Sequence, residues 1–400
     1  MPIAPESRPT LTALTVRFLQ LGGSAFGGPV AQIARLHDEF VVRGQLIDAD
    51  RFRRALALYQ ALPGPEATEM CIWIGTTLRG RLGGLLAGLG FVLPGLSLML
   101  LSCWLLFHAE PWPAWLAAVF AGLQCGAVAL VLRATWRLSR VTLGTRVVPW
   151  LIALVAAASS LAAVGFGVAL LGGGCVLLAA NAPRRIGIAF APMGVRRNGP
   201  LLVVSALAWF AAMGLDLWLR ADASVAAATS GAANLGLVGL RAGALTFGGA
   251  YTAIPFLQAD AVGPHGWMTN EQFASGLAIG SVLPAPMVVV GAWVGWAGDG
   301  LRGALWLTGG IFLPAFALPL LLHERLERML AHRPLQAFLD GTAAAVVGLI
   351  AATAWRLLAP RTSVVELGIV AVALGLACLR VRAAALLTMA ASVLLGLLVH

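Results

Sequence analysis

The sequence predicts an all-α polytopic membrane protein built from two inverted-topology repeats. Three observations lead there. First, 60% of the 400 residues are hydrophobic and 11% are charged, where a soluble domain carries about 25% charged residues. Second, the apolar residues fall in runs, several approaching the ~20 residues needed to cross a bilayer. Third, the chain resembles itself. "AFGGP" (25–29) faces "TFGGA" (246–250), Phe52 faces Phe273, Leu56 faces Leu277, and "ALPGP" (61–65) faces "VLPAP" (282–286), at a constant offset of 221 residues. "GFVLPG" (90–95) faces "GIFLPA" (310–315) at 220, and "WRL" (136–138) faces "WRL" (355–357) at 219. Such self-similarity marks a duplicated chain.

Each half holds six apolar segments. They are 11–34, 52–78, 82–107, 114–132, 147–162 and 164–181, then 229–256, 271–297, 303–322, 335–354, 364–378 and 383–399. One unmatched segment, 201–219, lies between them. The expected organisation is an N-terminal repeat 1–182, a linker 183–227 with one transmembrane helix, and a C-terminal repeat 228–400. Met1–Thr10 is polar, and no cleavable leader pattern follows it.

One extra span between two even sets makes the second half enter from the opposite face. Arginine placement agrees through the positive-inside rule. Loops 133–146 and 182–199 are arginine-rich and read as cytoplasmic, as does 35–51, whereas its repeat partner 256–270 has no arginine. Loop 108–113 has none, but its partner 323–334 has Arg325, Arg328 and Arg333. Arg356 and Arg361 are exceptions, falling in a loop expected outside. The reading puts the chain in the cell inner membrane as a multi-pass protein, N-terminus cytoplasmic and C-terminus external. Inverted repeats are a transporter signature.

Segments 11–34 and 52–78 each have both flanks reading as cytoplasmic. Each also carries a breaker near its middle, "GGSAFGGP" and "LPGP". An interior Gly costs roughly 1 kcal/mol and Pro about 3 in a helix, so such clusters interrupt it. Broken or re-entrant helices are expected at the FGG and LPxP motifs, where buried protein can satisfy the freed backbone.

A helix interruption leaves N–H groups at the start of the second half-helix, a site for anions. Pro29, Pro65 and Pro286 suit a first helical turn. Four such starts, two per half, can converge near the midplane. Ser24 and Thr246 can offer hydroxyls, Arg241 and Arg17 a guanidinium fork. Snorkelling is the plainer account of either arginine. Glu66 and Glu69 follow "LPGP" directly. They either complement the helix dipole or carry a proton. The second half has Met287 and Val290 there, so the halves are chemically unequal. Asp340 sits in an apolar run with no acidic counterpart; it pairs with an arginine or lies near the interface.

The net charge is +10 and every basic residue is arginine. A basic membrane protein needs no nucleic-acid partner. The five cysteines lie singly in apolar runs and the six histidines in loops or at the terminus, so no metal site or cofactor is expected. Without lysine there is no Walker A motif, which leaves ion gradients as the energy source. An enzyme is not expected. A passive channel is the competing class.

The motifs "FGGPVAQIARLHDEFV", "LPGPEATEM", "GFVLPG", "FGGAYTAIPFL" and "HGWMTNEQF" resemble those of the chromate ion transporter family, in its long-chain two-domain form, from about residue 11 to about 355. The resemblance implies export of chromate, with sulfate as a competing or exchanged tetrahedral dianion, and chromate resistance. It maps binding onto Gly27, Gly28, Pro29, Pro63, Gly64, Pro65 and Glu66, and onto Gly248, Gly249, Ala250 and Tyr251. Pro284 and Pro286 hold the second LPxP. One departure stands out. The family's second-half Glu-Thr-Thr-Pro-Gly-Pro is here Ser281–Pro286 without acid or glycine. The expected partners are an oxyanion and the lipid bilayer. A homodimer stays open, and another anion such as sulfate is the alternative substrate.

Overall fold

The computed structural model describes residues 9–26, 28–62, 64–108, 113–162, 166–180, 232–246, 250–263, 266–322, 333–379 and 384–399. The predicted linking helix 201–219 lies outside them. Among the described residues all regular structure is helical. The first repeat runs α1 (Leu11–Gly23), α2 (Gly28–His37, continued by a π-helical turn Asp38–Arg43), α3 (Ala49–Ala61), α4 (Glu66–His108), α5 (Ala114–Thr142), α6 (Val147–Leu161) and α7 (Phe166–Ala180). The second runs α8 (Ala232–Ala244), a 3₁₀ turn (Ala250–Ala253), α9 (Ile254–Val262), α10 (Asn270–Val282), a 3₁₀ turn (Met287–Val289), α11 (Val290–Ala317), a π-helical turn (Leu318–Leu322), α12 (Arg333–Leu358), α13 (Val364–Ala377) and α14 (Ala384–Val399).

α4 is a hairpin rather than a rod. Ile72 and Gly88 would stand about 24 Å apart along a straight helix, yet a Cβ on Gly88 would lie 2.6 Å from Ile72 Cγ1. The reversal is at Arg79–Gly80, where Gly80 takes φ 65°, ψ −167°, a conformation open to glycine. The short arm 66–78 therefore folds back on the long arm 81–108. α11 repeats the device at Asp299–Gly300, and a Cβ on Gly291 would meet Leu307 Cδ2 at 3.0 Å. Glycines at these seams let backbones touch, which drives helix association in lipid.

Each re-entrant pair closes on itself. α1 runs in to Ser24 and α2 returns, so that Phe18 and Phe40 stack at 5.1 Å and Arg17 pairs with Glu39 at 3.3 Å. α3 runs in and the short arm of α4 returns, with the Arg51 guanidinium 5.8 Å from the Trp73 ring. The α4 reversal sits beside the start of α1, where Arg79 Nε donates to the Pro9 carbonyl at 2.5 Å. The second repeat closes alike. Trp293, the counterpart of Trp73, donates its Nε1–H to the Gln272 carbonyl at 3.0 Å, and Gln272 is the counterpart of Arg51. Both ends of each hairpin thus lie together, and the conflict in the arginine pattern disappears.

The long helices exchange partners between repeats. α5 packs on α13 and α14, while its counterpart α12 packs on α6 and α7. The contact faces are again small: Gly122 lies on Ser392 and Gly348 on Ala153. Outward faces are large and apolar, with Leu82, Leu85, Leu89 and Leu93 on α4 and Leu301, Leu305 and Trp306 on α11.

Three sequence expectations change. Four described helices, Glu66–His108, Ala114–Thr142, Met287–Leu321 and Leu335–Leu358, are long and apolar enough to cross a membrane. α6, α7, α13 and α14 have 14–16 residues, about 21–24 Å against a core of about 30 Å. Arg133, Arg137 and Arg140 belong to α5, which runs to Thr142, and not to a loop. Arg356 and Arg361, the exceptions in the arginine pattern, are both held by protein groups. Arg356 donates to the Ser160 carbonyl, and Arg361 is buried against Gln124 Oε1 (3.1 Å) and Glu366 (3.4 Å). Asp340 is exposed and feels the charge of Arg146.

Inversion is testable at two strongly exposed positions near equivalent loops, Val141 (79%) and Val364 (84%). In a cysteine-free background, an impermeant maleimide added outside cells is expected to label Val364→Cys and to spare Val141→Cys until the membrane is opened. Labelling of both from outside sinks the inversion.

Candidate functional site: four helix breaks

Why do the interruptions meet? The break of each re-entrant pair lies where its two arms meet. The first break, after α1, is capped locally. The Ser24 hydroxyl donates to the Gln20 carbonyl at 2.7 Å, and Arg35 donates to the Ser24 carbonyl. Ala25 N–H bonds to the Gly22 carbonyl at 3.2 Å. α2 then starts at Gly28, whose φ of +77° favours glycine, with Pro29 in its first turn.

The second break precedes α4. Gly64 takes φ +147° and donates its N–H to the Thr246 carbonyl of the third break at 2.7 Å. Pro65 is buried, and its carbonyl accepts from the N–H groups of Thr68 and Glu69. At the third break the Thr246 hydroxyl donates to the Ala242 carbonyl at 2.5 Å. A Cβ on Gly28 would lie 3.5 Å from the Tyr251 hydroxyl, which places the first and third breaks together. The fourth break holds buried Pro284 and Pro286. Gln32 joins it to the first, since its Nε2 donates to the Ala25 carbonyl (2.9 Å) and the Ala285 carbonyl (3.1 Å). All four interruptions are therefore linked, across the repeats.

The structure thus brings together the neighbourhoods of Ser24, Gly28, Gly64, Pro65, Thr246, Tyr251, Pro284 and Pro286. Gly27, Pro63, Gly248 and Gly249 lie outside the described residues. Two expectations are redirected. The hydroxyl protons of Ser24 and Thr246 are spent on their own helices. Arg241 is ion-paired with Asp260, with side-chain exposures of 16% and 3%, and so staples α8 to α9. Arg17 does the same for α1 and α2 through Glu39, and Asp260 sits at the repeat position of Glu39. Metal binding gains no support, as no cluster of three His, Cys, Asp or Glu side chains occurs among the described residues.

Gln32 was missed as a link. It is a lone amide in "FGGPVAQIA", and a buried amide in an apolar run needs partners. The Glu39 and Asp260 staples were missed too, although their spacing matches the repeat offset.

Glu66 and Glu69 open α4. Glu66 is 7% exposed and feels the positive charge of Arg137 on α5. Glu69 is fully buried, and neither of its oxygens has a hydrogen-bond partner among the described residues. The same holds for Thr68 Oγ1 and Gln32 Oε1. Glycine turns, helix starts and buried oxygens without partners among the described residues therefore lie close together at the breaks.

Two substitutions separate these features. Gly64→Ala adds a methyl 2.8 Å from Glu69 Oε1, while Gly80→Ala, also at positive φ, meets open space. Gly80→Ala is expected to lower stability by about 1–3 kcal/mol and to keep solute transport, whereas Gly64→Ala is expected to abolish transport. Equal transport by both variants in proteoliposomes contradicts the assignment. Asp260→Ala removes the carboxylate from a largely buried guanidinium and is expected to cost about 3 kcal/mol. Glu39→Ala, at a half-exposed pair, costs under about 1 kcal/mol. Thermal unfolding in detergent compares them.

The chain matches the family model described as "Chromate transporter" over residues 12–180 and 233–397. It is 44% identical over 353 residues to the chromate transport protein of Pseudomonas aeruginosa, covering 87% of this chain and 80% of that relative. It is 28% identical over 343 residues to a probable chromate transport protein of Synechococcus elongatus, covering 86% and 83%. It is also 28% identical over 341 residues to the chromate transport protein of Cupriavidus metallidurans, covering 85% and 81%. No solved structure matches the chain. The two matched stretches are the two repeats that carry the paired breaks, and the chain belongs to the chromate transporter family.

Proposed function

We propose that this protein is a secondary active transporter that exports a tetrahedral oxyanion, chromate first, across the cell inner membrane. The carrying observation is the meeting of four helix interruptions from two repeats, linked by Gly64 N–H to the Thr246 carbonyl and by Gln32 to Ala25 and Ala285. Transporters place substrate at such interruptions, where half-helix starts point at anionic groups. The relatives' names supply the anion. Tyr251, Gly28 and the α2 and α4 starts are the groups assigned to it. The Arg241–Asp260 and Arg17–Glu39 pairs hold the arms that present them.

Export follows from the orientation proposed for the chain. α5 brings Arg133 and Arg137 to its arginine-rich end, expected at the cytoplasmic face, and their charge acts on Tyr251. A cationic mouth concentrates a dianion on the side from which it leaves.

Inverted membrane vesicles test this. Labelled chromate is expected to enter vesicles that hold the protein faster than control vesicles, and excess sulfate is expected to slow it. No chromate movement under any imposed proton or anion gradient overturns the substrate. Chromate movement that ignores every gradient supports a channel instead.

A further inference from the structure

We propose that Glu69 is a proton-binding group inside the anion site, so that the proton and the oxyanion favour each other's binding. The inference rests on the oxyanion reading above and deepens it. Glu69 points at the second break, its Oε1 lying 2.8 Å from where a Gly64 Cβ would be. Gly64 in turn bonds to Thr246 of the other repeat. The carboxyl therefore sits at the seam between the two halves, fully buried and with both oxygens unpartnered among the described residues.

An ionised carboxylate cannot rest there without a donor or a cation. The surrounding charges do not supply one. On its own helix, Glu66 sits one turn earlier and is also acidic. On the elements packed against α4, Arg17 is paired with Glu39, Arg35 bonds to the Ser24 carbonyl, and Arg51 lies over Trp73. Arg53 is paired with Asp50, and His37 lies edge-on to Phe52. Arg54 is exposed near the middle of α3, and Glu271, Asp299 and Arg302 lie toward the outer ends of their arms, away from the breaks. Arg137 acts on Glu66.

A protonated Glu69 presents an O–H with no acceptor. Thr68, its neighbour, is fully buried with an unpartnered hydroxyl. The unsatisfied O–H of Glu69 calls for an acceptor, and an oxyanion oxygen provides one in a charge-assisted bond. Ionised Glu69 instead sets a negative charge against a dianion. The sign follows: anion affinity is greatest at low pH and falls as pH rises through the titration of Glu69. By linkage, the bound anion holds the proton on Glu69. Met287 and Val290 occupy the equivalent positions of the second repeat, so one proton site serves both halves.

The test measures chromate binding to the purified wild-type protein and to Glu69→Gln across pH 5.5 to 8.5. Taking the ratio of the two dissociation constants at each pH removes chromate's own protonation. Near-equal affinities at the acid end, with the wild type weaker by about tenfold or more at the alkaline end, support the inference. A ratio that stays flat overturns it, while absence of chromate binding by either protein overturns the oxyanion reading instead. Difference infrared spectroscopy of the anion-free wild type guards against a misfolded variant. A protonated-carboxyl stretch that responds to chromate supports the inference, and a carboxylate signature alone overturns it.

Discussion

Every feature of this protein depends on one constraint: backbone that leaves its helix inside a bilayer must find its hydrogen bonds in the protein. Four such departures occur here. Some of the freed groups bond locally, as Ala25 N–H does to the Gly22 carbonyl. The rest are met across the repeats. Gly64 N–H reaches the Thr246 carbonyl, and one amide, Gln32, serves two carbonyls from different breaks. An unmet group at this depth costs several kcal/mol. Each break therefore stabilises its neighbours, and separation of the repeats would expose all of them at once.

That interdependence explains the duplicated architecture. A re-entrant pair has too little length to bury its tip alone. Two copies placed tip to tip bury both. The long helices complete the clamp, since α5 lies in the groove of α13 and α14 while α12 lies in that of α6 and α7. Glycine at the seams permits the close approach. Ion pairs between the arms of the hairpins hold them in register, half-exposed in one repeat and buried in the other. The same repeat position supplies the acid in both, Glu39 and Asp260, while the arginine moves one turn, from Arg17 to Arg241.

Symmetry in the backbone leaves room for asymmetry in the chemistry. The short arm of α4 begins with two acids, and the matching arm of the second repeat begins with Met287 and Val290. Both stretches are buried. Only in the first does burial create an electrostatic problem. A pseudo-symmetric scaffold can rock between two faces while a titratable group in one half senses what occupies the centre.

The amino-acid sequence alone determined the membrane setting, the duplication and the places where helices break. These follow from local composition and from spacing, which survive without knowledge of neighbours. The offset of 221 residues aligned Gly28 with Gly249 and Pro65 with Pro286 before any fold was in hand, and the flanking arginines indicated re-entrant arms. Tertiary structure decided the rest. It turned α4 into a hairpin, because the positive φ of Gly80 is visible only in context. It moved Arg241 from candidate ligand to staple, because Asp260 lies nineteen residues away in sequence and next to it in space. It also separated Glu66 from Glu69, two acids alike in sequence. One lies within the field of Arg137, and the other lies against Gly64 with no hydrogen-bond partner among the described residues. Burial and partnership are properties of the assembled repeats, and no window of sequence contains both sides of a contact made between residues of different halves.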